Sequence, residues 1–200
     1  MFSRTGILLV VSGPSGSGKT TLCRHLAEAG EAHYSISCTT RHSRPSEKDG
    51  VDYHFLSKEV FQQRLADGEF LEHAVVHGNY YGSLKSEVLT YLKNGMDVVM
   101  DIDTQGAEQI RDCSDSDIQQ ALVDLFVMPP SEQELHARLS GRGTDSAETI
   151  ALRMKNALKE IKRWDRYEYR LLSSTKERDY EEFLALITAE RLRISRIIKS

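Results

Sequence analysis

Gly13-Pro14-Ser15-Gly16-Ser17-Gly18-Lys19-Thr20 follows directly on the apolar run Ile7-Leu8-Leu9-Val10-Val11. The octapeptide satisfies G-x-x-x-x-G-K-[ST] at every fixed position. Its setting, a buried-strand candidate before it and a helical pattern after it, is the one in which that pattern cradles phosphate. Glycines let the backbone curl until its N–H groups point inward, and Lys19 reaches bridging phosphate oxygens. The Thr20 hydroxyl is placed for a magnesium ion at a helix N-terminus that carries partial positive charge. Gly13, Pro14, Ser15, Gly16, Ser17, Gly18, Lys19 and Thr20 are therefore expected to bind the phosphates of a nucleoside triphosphate.

Beyond the loop, Leu22, Leu26 and Ala29 recur at helical spacing and Gly30 supplies a stop. Val98-Val99-Met100-Asp101 reads as a buried parallel strand, and an acid at its carboxyl end belongs beside the phosphate loop. Leu122 to Met128 is a further buried strand, terminated by Pro129-Pro130. Ser131-Glu132-Gln133-Glu134 is then expected to form a capping box in which the Ser131 hydroxyl and the Glu134 carboxylate each satisfy an orphan N–H. Tyr169 to Leu172 is expected as the last strand. Between these core elements, strand-like pieces at Tyr53 to Leu56 and Leu71 to Val76 flank an amphipathic helix near Lys58 to Asp67, a mixed insertion rather than more parallel sheet. Leu84 to Lys93 is helical, ended by Asn94-Gly95. Gly141 to Ser146 is a small-residue break before a long amphipathic helix carrying Ile150, Met154, Ala157, Ile161 and Trp164. The terminal segment from Asp179 reads as a helix with Phe183, Leu186, Ile187 and Ile194 as its apolar side, and Arg191, Arg193, Arg196 and Lys199 as a solvated end.

With 200 residues, 40% of them hydrophobic, the chain can bury a sizeable core. A net charge of −4 gives no electrostatic reason to expect nucleic acid as a partner. Cys23, Cys38 and Cys113 are odd in number and widely spaced, which argues against a disulfide framework and a zinc site and fits a reducing cytoplasm. No apolar stretch is long enough for a signal peptide or a membrane span, so a soluble, unprocessed protein with no membrane partner is expected.

A phosphate loop alone suits GTPases, motors and small kinases alike. Arg41 and Arg44, with Tyr53, Tyr80 and Tyr81 nearby in the chain, suit a phosphate monoester, because each guanidinium grips two oxygens and a phenol holds a third. No N-K-x-D motif of a switch GTPase is present.

Taken together, the chain resembles the guanylate kinases from about Ile7 to the Ala189-Glu190-Arg191 region. The resemblance rests on the phosphate loop, Thr39-Thr40-Arg41 with Arg44-Pro45, Gly78-Asn79-Tyr80-Tyr81-Gly82, Asp101-Ile102-Asp103 with Gln105-Gly106, and Gly141-Arg142-Gly143. It implies an α/β, P-loop three-layer fold with a central parallel sheet, an inserted mixed α+β GMP-binding subdomain and a mobile lid. On one domain spanning 1–200, the core would take about 1–34, 84–137 and 168–200, the insertion about 35–83, and the lid with its following helix about 138–167. It implies transfer of the γ-phosphoryl of ATP to GMP, with magnesium as cofactor; homo-oligomerisation is left open. By the same resemblance Arg41, Arg44, Tyr53 and Tyr81 would hold the GMP phosphate, Ser37, Glu72, Ser83 and Asp103 would surround guanine, and Thr20 and Asp101 would lie at magnesium. Lys19, Arg138, Arg142 and Arg153 would serve the transferring phosphoryl group. The chemistry agrees: guanine presents N1–H and its 2-amino group side by side, so one carboxylate accepts from both, whereas adenine would leave Glu72 unpaired.

One departure stands out. Where the family carries an Asn-Asp-Asp run after the last strand, this chain has Ser173-Ser174-Thr175 and lacks the asparagine on the adenine side. A ribose bisphosphate phosphokinase on the same scaffold and a non-catalytic, peptide-binding guanylate kinase-like module are the alternatives. The guanine set argues against the first and the complete phosphate loop against the second.

Overall fold

The computed structural model describes residues 3–76, 78–141 and 146–198. After a two-residue strand β1 (Ser3–Arg4), the apolar run forms β2 (Leu8–Ser12), every residue of which is buried. The phosphate loop leads into α1 (Lys19–Glu28), and β3 (His33–Tyr34) follows. The chain then leaves the central layer for β4 (Cys38–Thr39), β5 (His54–Phe55), α2 (Lys58–Ala66), β6 (Phe70–Val76) and β7 (Asn79–Leu84). It returns through α3 (Lys85–Lys93), β8 (Val98–Asp101), α4 (Thr104–Arg111), α5 (Ser116–Ala121) and β9 (Leu122–Met128). A helical pair, α6 (Glu132–Ser140) and α7 (Ala147–Ile161), precedes β10 (Tyr169–Leu172), α8 (Lys176–Arg191) and β11 (Ile197–Ile198).

The central sheet has the order β10-β9-β2-β8-β3, with every pairing parallel. Its alternating faces explain the near-continuous apolar strands. Leu9 and Val11 face α1 and α8 through Leu22, Leu26, Phe183 and Ile187, while Leu8 and Val10 face the opposite layer through Val88, Ala107, Ile110 and Ile118. Helices thus cover both faces of the sheet, the three-layer α/β arrangement expected for a phosphate-loop protein. β2 sits between β8 and β9, so the loop after it opens at a crevice beyond the carboxyl ends of the strands, where α/β folds bind ligands.

The insertion is a separate mixed sheet of order β5-β4-β7-β6, with β4 and β5 parallel and the other pairs antiparallel. α2 covers it through Phe61, fully buried and stacked on Phe70 at 4.3 Å. β6 also meets the core: Gln109 of α4 exchanges hydrogen bonds with the backbone of His73 at 3.0 and 2.8 Å.

Four local expectations are corrected. The terminal helix stops at Arg191; Ile194 lies in a short 3-10 turn, 87% exposed, and β11 then pairs antiparallel with β1. Two of the arginines read as solvated are structural instead. Buried Arg196 pairs with Glu190 at 2.9 Å, and Arg191 reaches Glu31 at 2.7 Å and Asp97 at 2.8 Å. The Ser131 hydroxyl does cap α6 through the Glu134 N–H at 3.1 Å, but the Glu134 carboxylate takes Arg138 at 3.1 Å rather than closing the box. Trp164 falls beyond α7 in a second 3-10 turn, Trp164–Arg166.

Candidate active site

Gly13 holds φ at +148°, and a Cβ there would lie 2.5 Å from the Val127 carbonyl, so only glycine lets the loop close over the end of β9. Gly18 caps α1 with a left-handed backbone and no side-chain hydrogen bond. The first N–H groups of that helix therefore lack a side-chain cap and face the loop, the condition under which a helix N-terminus takes an anion. At the mouth of the loop Lys19 Nζ lies 3.9 Å from Asp101 at the end of β8, and the Thr20 hydroxyl donates to the same carboxylate. A hydroxyl and a carboxylate converging beside the uncapped N–H groups of α1 form a hard oxygen donor set that fits magnesium. Among the described residues no cluster of three or more His, Cys, Asp and Glu side chains forms an all-protein metal cage.

A cavity of about 760 Å³ adjoins the loop, bordered by Gly16, Thr21, His25, Arg138, Ser173 to Lys176 and Asp179. Arg138 donates to the Ser173 hydroxyl at 3.0 Å. That hydroxyl donates to Asp179 at 3.0 Å, and Asp179 also takes the N–H and hydroxyl of Ser174 at 2.7 and 3.1 Å. The serines that replace the expected asparagine are thus tied to one carboxylate at the start of α8.

The second cluster lies on the insertion where it meets α4. Glu72 of β6 is 6% exposed and accepts from the Ser83 hydroxyl at 2.7 Å. Because Ser83 spends its proton on Glu72, the 3.2 Å contact between the Ser37 and Ser83 hydroxyls runs from Ser37 as donor. Burial holds the Glu72 carboxyl above its ordinary range; Ser83 opposes that shift and nearby Asp103 adds to it. A Cβ on Gly106 would stand 2.9 Å from Glu72 Oε2, so α4 approaches the carboxylate as closely as a glycine permits. Asp103 caps α4, taking the Gln105 and Gly106 N–H groups on Oδ1 at 2.9 and 2.8 Å.

Next to this pocket Arg41 lies over the Tyr53 ring at 5.5 Å, and Tyr53 meets Tyr81 edge to face at 6.0 Å. Arg44 is exposed in the turn that follows. Arg138 is at the end of α6 and Arg153 on α7, half-buried and engaged within the chain, while Arg142 lies outside the described residues. The structure thus gathers the expected residues into two groups, Lys19, Thr20 and Asp101 at the loop and Ser37, Glu72, Ser83 and Asp103 at the seam, with Arg41, Tyr53 and Tyr81 beside the latter. Sequence reasoning missed Glu47, which grips Arg41, and Glu160 of α7. The Glu160 carboxyl is pushed up by burial while facing Lys19 and Asp103. The signal for Glu47 is its place three residues after Arg44, the far end of the turn that Pro45 begins.

A guanylate kinase family model matches residues 5–190. The guanylate kinase of Syntrophotalea carbinolica is 46% identical over 196 residues, covering 97% of this chain and 90% of the relative. That of Chromohalobacter salexigens is 43% identical over 193 residues, covering 96% and 87%. The crystal structure of guanylate kinase from Anaplasma phagocytophilum superposes with a TM-score of 0.79 at 30% identity, covering 99% of this chain and 93% of that one.

Proposed function

The chain belongs to the guanylate kinase family and is an ATP:GMP phosphotransferase, and from that premise we propose how its residues divide the work. The observation that carries the assignment is a complete phosphate loop facing a separate, buried carboxylate reader, Glu72 with Ser83 and Ser37, flanked by Arg41. ATP would lay its phosphates along Gly13 to Thr20 and its base in the 760 Å³ cavity. GMP would present N1–H and its 2-amino group to Glu72, which would release the Ser83 hydroxyl. Its phosphate would lie among Arg41, Arg44, Tyr53 and Tyr81. Asp103, with one oxygen free of capping duty, would take the remaining edge of the nucleoside.

A GMP phosphate oxygen then attacks the γ-phosphorus in line as the bond to the β–γ bridging oxygen breaks, giving ADP and GDP. This chemistry needs no covalent enzyme intermediate; positioning and charge stabilisation carry it. Lys19 would bridge donor oxygens, and Arg138, Arg142 and Arg153 would neutralise the charge that gathers between donor and acceptor. Thr20 and Asp101 would hold a magnesium ion, which when bound neutralises phosphate oxygens of the donor. Closure of α6 and α7 over the site would exclude water that otherwise hydrolyses ATP. No helix among the described residues is long and apolar enough to cross a membrane, and the three unpaired cysteines support a reducing compartment such as the cytoplasm.

The test is a coupled ADP-release assay with GMP, AMP, UMP and a ribose bisphosphate as acceptors, run with magnesium and with a chelator. GMP is expected to be the best acceptor and the chelator to abolish turnover. Preference for the ribose bisphosphate, or no acceptor at all, would move the chain to one of the two alternatives.

A further inference from the structure

Arg41 carries five N–H donors, and the chain already uses three of them. Nη1 donates to Glu47 Oε2 at 3.0 Å and to the His42 carbonyl at 2.8 Å, while Nη2 donates to Glu47 Oε1 at 2.8 Å. The end-on edge of the guanidinium is therefore saturated by protein. What is left is Nε–H with the second Nη2–H, the side-on fork, whose spacing matches two oxygens of a phosphate. The ring centroids of Tyr53 and Phe55 lie 5.5 and 6.0 Å from the guanidinium carbon, and the Tyr81 phenol, within hydrogen-bonding reach of the guanidinium, shares this side of it and restricts its remaining freedom.

Glu47 is itself held by the backbone. Its Oε2 also accepts from the Arg44 N–H at 2.8 Å, and its own N–H donates to the Arg44 carbonyl at 2.9 Å, closing the turn Arg44-Pro45-Ser46-Glu47. A carboxylate fixed by the main chain of the segment it serves is a strut rather than a mobile plug. Its side chain is 14% exposed, and the Arg41 and Arg44 contacts hold its carboxyl below the ordinary value.

We propose that Glu47 is a positioning residue for the acceptor phosphate: by occupying the end-on edge of Arg41 and bracing the Arg44 turn, it aims the side-on fork of Arg41 at the phosphate of GMP. The inference rests on the acceptor site proposed above. The mutually exclusive role, in which Glu47 occupies the phosphate's own place and competes with it, predicts the opposite sign of effect.

Glu47→Gln separates the two. With its amide oxygen where Oε2 stands, glutamine keeps the Arg44 N–H and Arg41 Nη1 but sets an NH₂ group against Nη2–H, so the guanidinium must rotate. The expected result is a rise of about 10- to 100-fold in KM for GMP, the worth of one charge-assisted hydrogen bond. KM for ATP and kcat at saturating GMP should stay within about threefold. Guanosine, which has no phosphate, should compete with GMP with an unchanged inhibition constant, whereas inorganic phosphate should compete more weakly. A structural loosening of the insertion would instead weaken guanosine and lower the melting temperature. Unchanged or tighter GMP binding, or a parallel loss of guanosine affinity, would overturn the proposal. Absence of GMP turnover by the unmutated enzyme would refute the acceptor site itself, a distinct outcome.

Discussion

Replacing Glu72 with glutamine should cost catalysis and add stability, and both effects follow from the same buried carboxylate. The substitution preserves shape, and the amide oxygen can keep the 2.7 Å bond from Ser83. The amide NH₂ then occupies the Oε2 position beside Gly106, where it faces the N1–H and 2-amino donors of guanine. At least one charge-assisted hydrogen bond, worth about 1.5–3 kcal/mol, is lost, and donors are set against donors. A total of about 3–5 kcal/mol corresponds to a fall of about 10²- to 10⁴-fold in kcat/KM for GMP at roughly 1.4 kcal/mol per decade. The ratio of GMP to AMP turnover in the coupled assay should collapse with it. Stability moves the other way. Burial raises the Glu72 carboxyl above 4.5, so the folded chain holds that proton more tightly than the unfolded one. Its favourable contribution is complete below the unfolded value and is lost as pH rises through the folded one. Above the folded value the wild type carries a desolvated charge that glutamine removes, so the variant should melt at or above wild type in alkaline buffer, with the gap narrowing as pH falls toward the ordinary carboxylate range. A loss of kcat/KM below tenfold, an equal loss for AMP, or a lower melting point in alkaline buffer would refute the reasoning.

Lys19→Ala should depress kcat by about 10³-fold while leaving KM for GMP within a few-fold, because the ammonium belongs to the donor side; steady-state kinetics in both substrates checks this. Gly106→Ala forces a methyl to 2.9 Å from Glu72 Oε2, and KM for GMP should rise about tenfold or more with KM for ATP unmoved. Asp97→Asn should cost about 3–5 kcal/mol in denaturant unfolding, since the fully buried carboxylate takes Arg4 at 2.6 Å, Arg191 at 2.8 Å and the Ile7 N–H at 2.9 Å. That cluster sits at the ends of β2 and β8 opposite the phosphate loop, so specific activity of the folded fraction should be retained.

The core of the fold was legible because its signals are local. Ile7 to Val11, Val98 to Asp101 and Leu122 to Met128 are apolar runs of strand length, and each became a strand of the parallel sheet. β7 was not legible as a strand: Asn79 to Leu84 shows no clean alternation and contains Gly82, yet it pairs with both β4 and β6. The end of the chain failed for another reason. Helical spacing runs on past Arg191, but Arg196 finds Glu190 and the carbonyls of Gln120 and Ala121, a long-range set of acceptors that draws the chain out of the helix and onto β1. Tertiary partners outweigh a propensity of a few tenths of a kcal/mol per residue.

The two halves of the site differ in the same way. The proposed donor half is contiguous, eight residues whose spacing alone dictates the backbone of a phosphate loop. The acceptor half is assembled from β4's approach at Ser37, the turn at Arg41 to Glu47, β6, β7 and the cap of α4, and each member alone reads as an ordinary polar residue. What distinguishes Glu72 is a local inconsistency: an acid facing inward on a strand, desolvated, with Ser83 as its hydrogen-bond partner among the described residues and a glycine of α4 pressed against its second oxygen. Folding gains nothing from that charge, since glutamine would fit with less desolvation. The proposed acceptor site accounts for a carboxylate kept there at a cost to stability: a ligand would bring two donors to it, and among the nucleobases guanine presents that pair on one edge. The same reasoning separates Glu47, whose carboxylate takes all three of its hydrogen bonds from the chain itself, from Glu72, whose pairing on the proposed reading is completed by substrate.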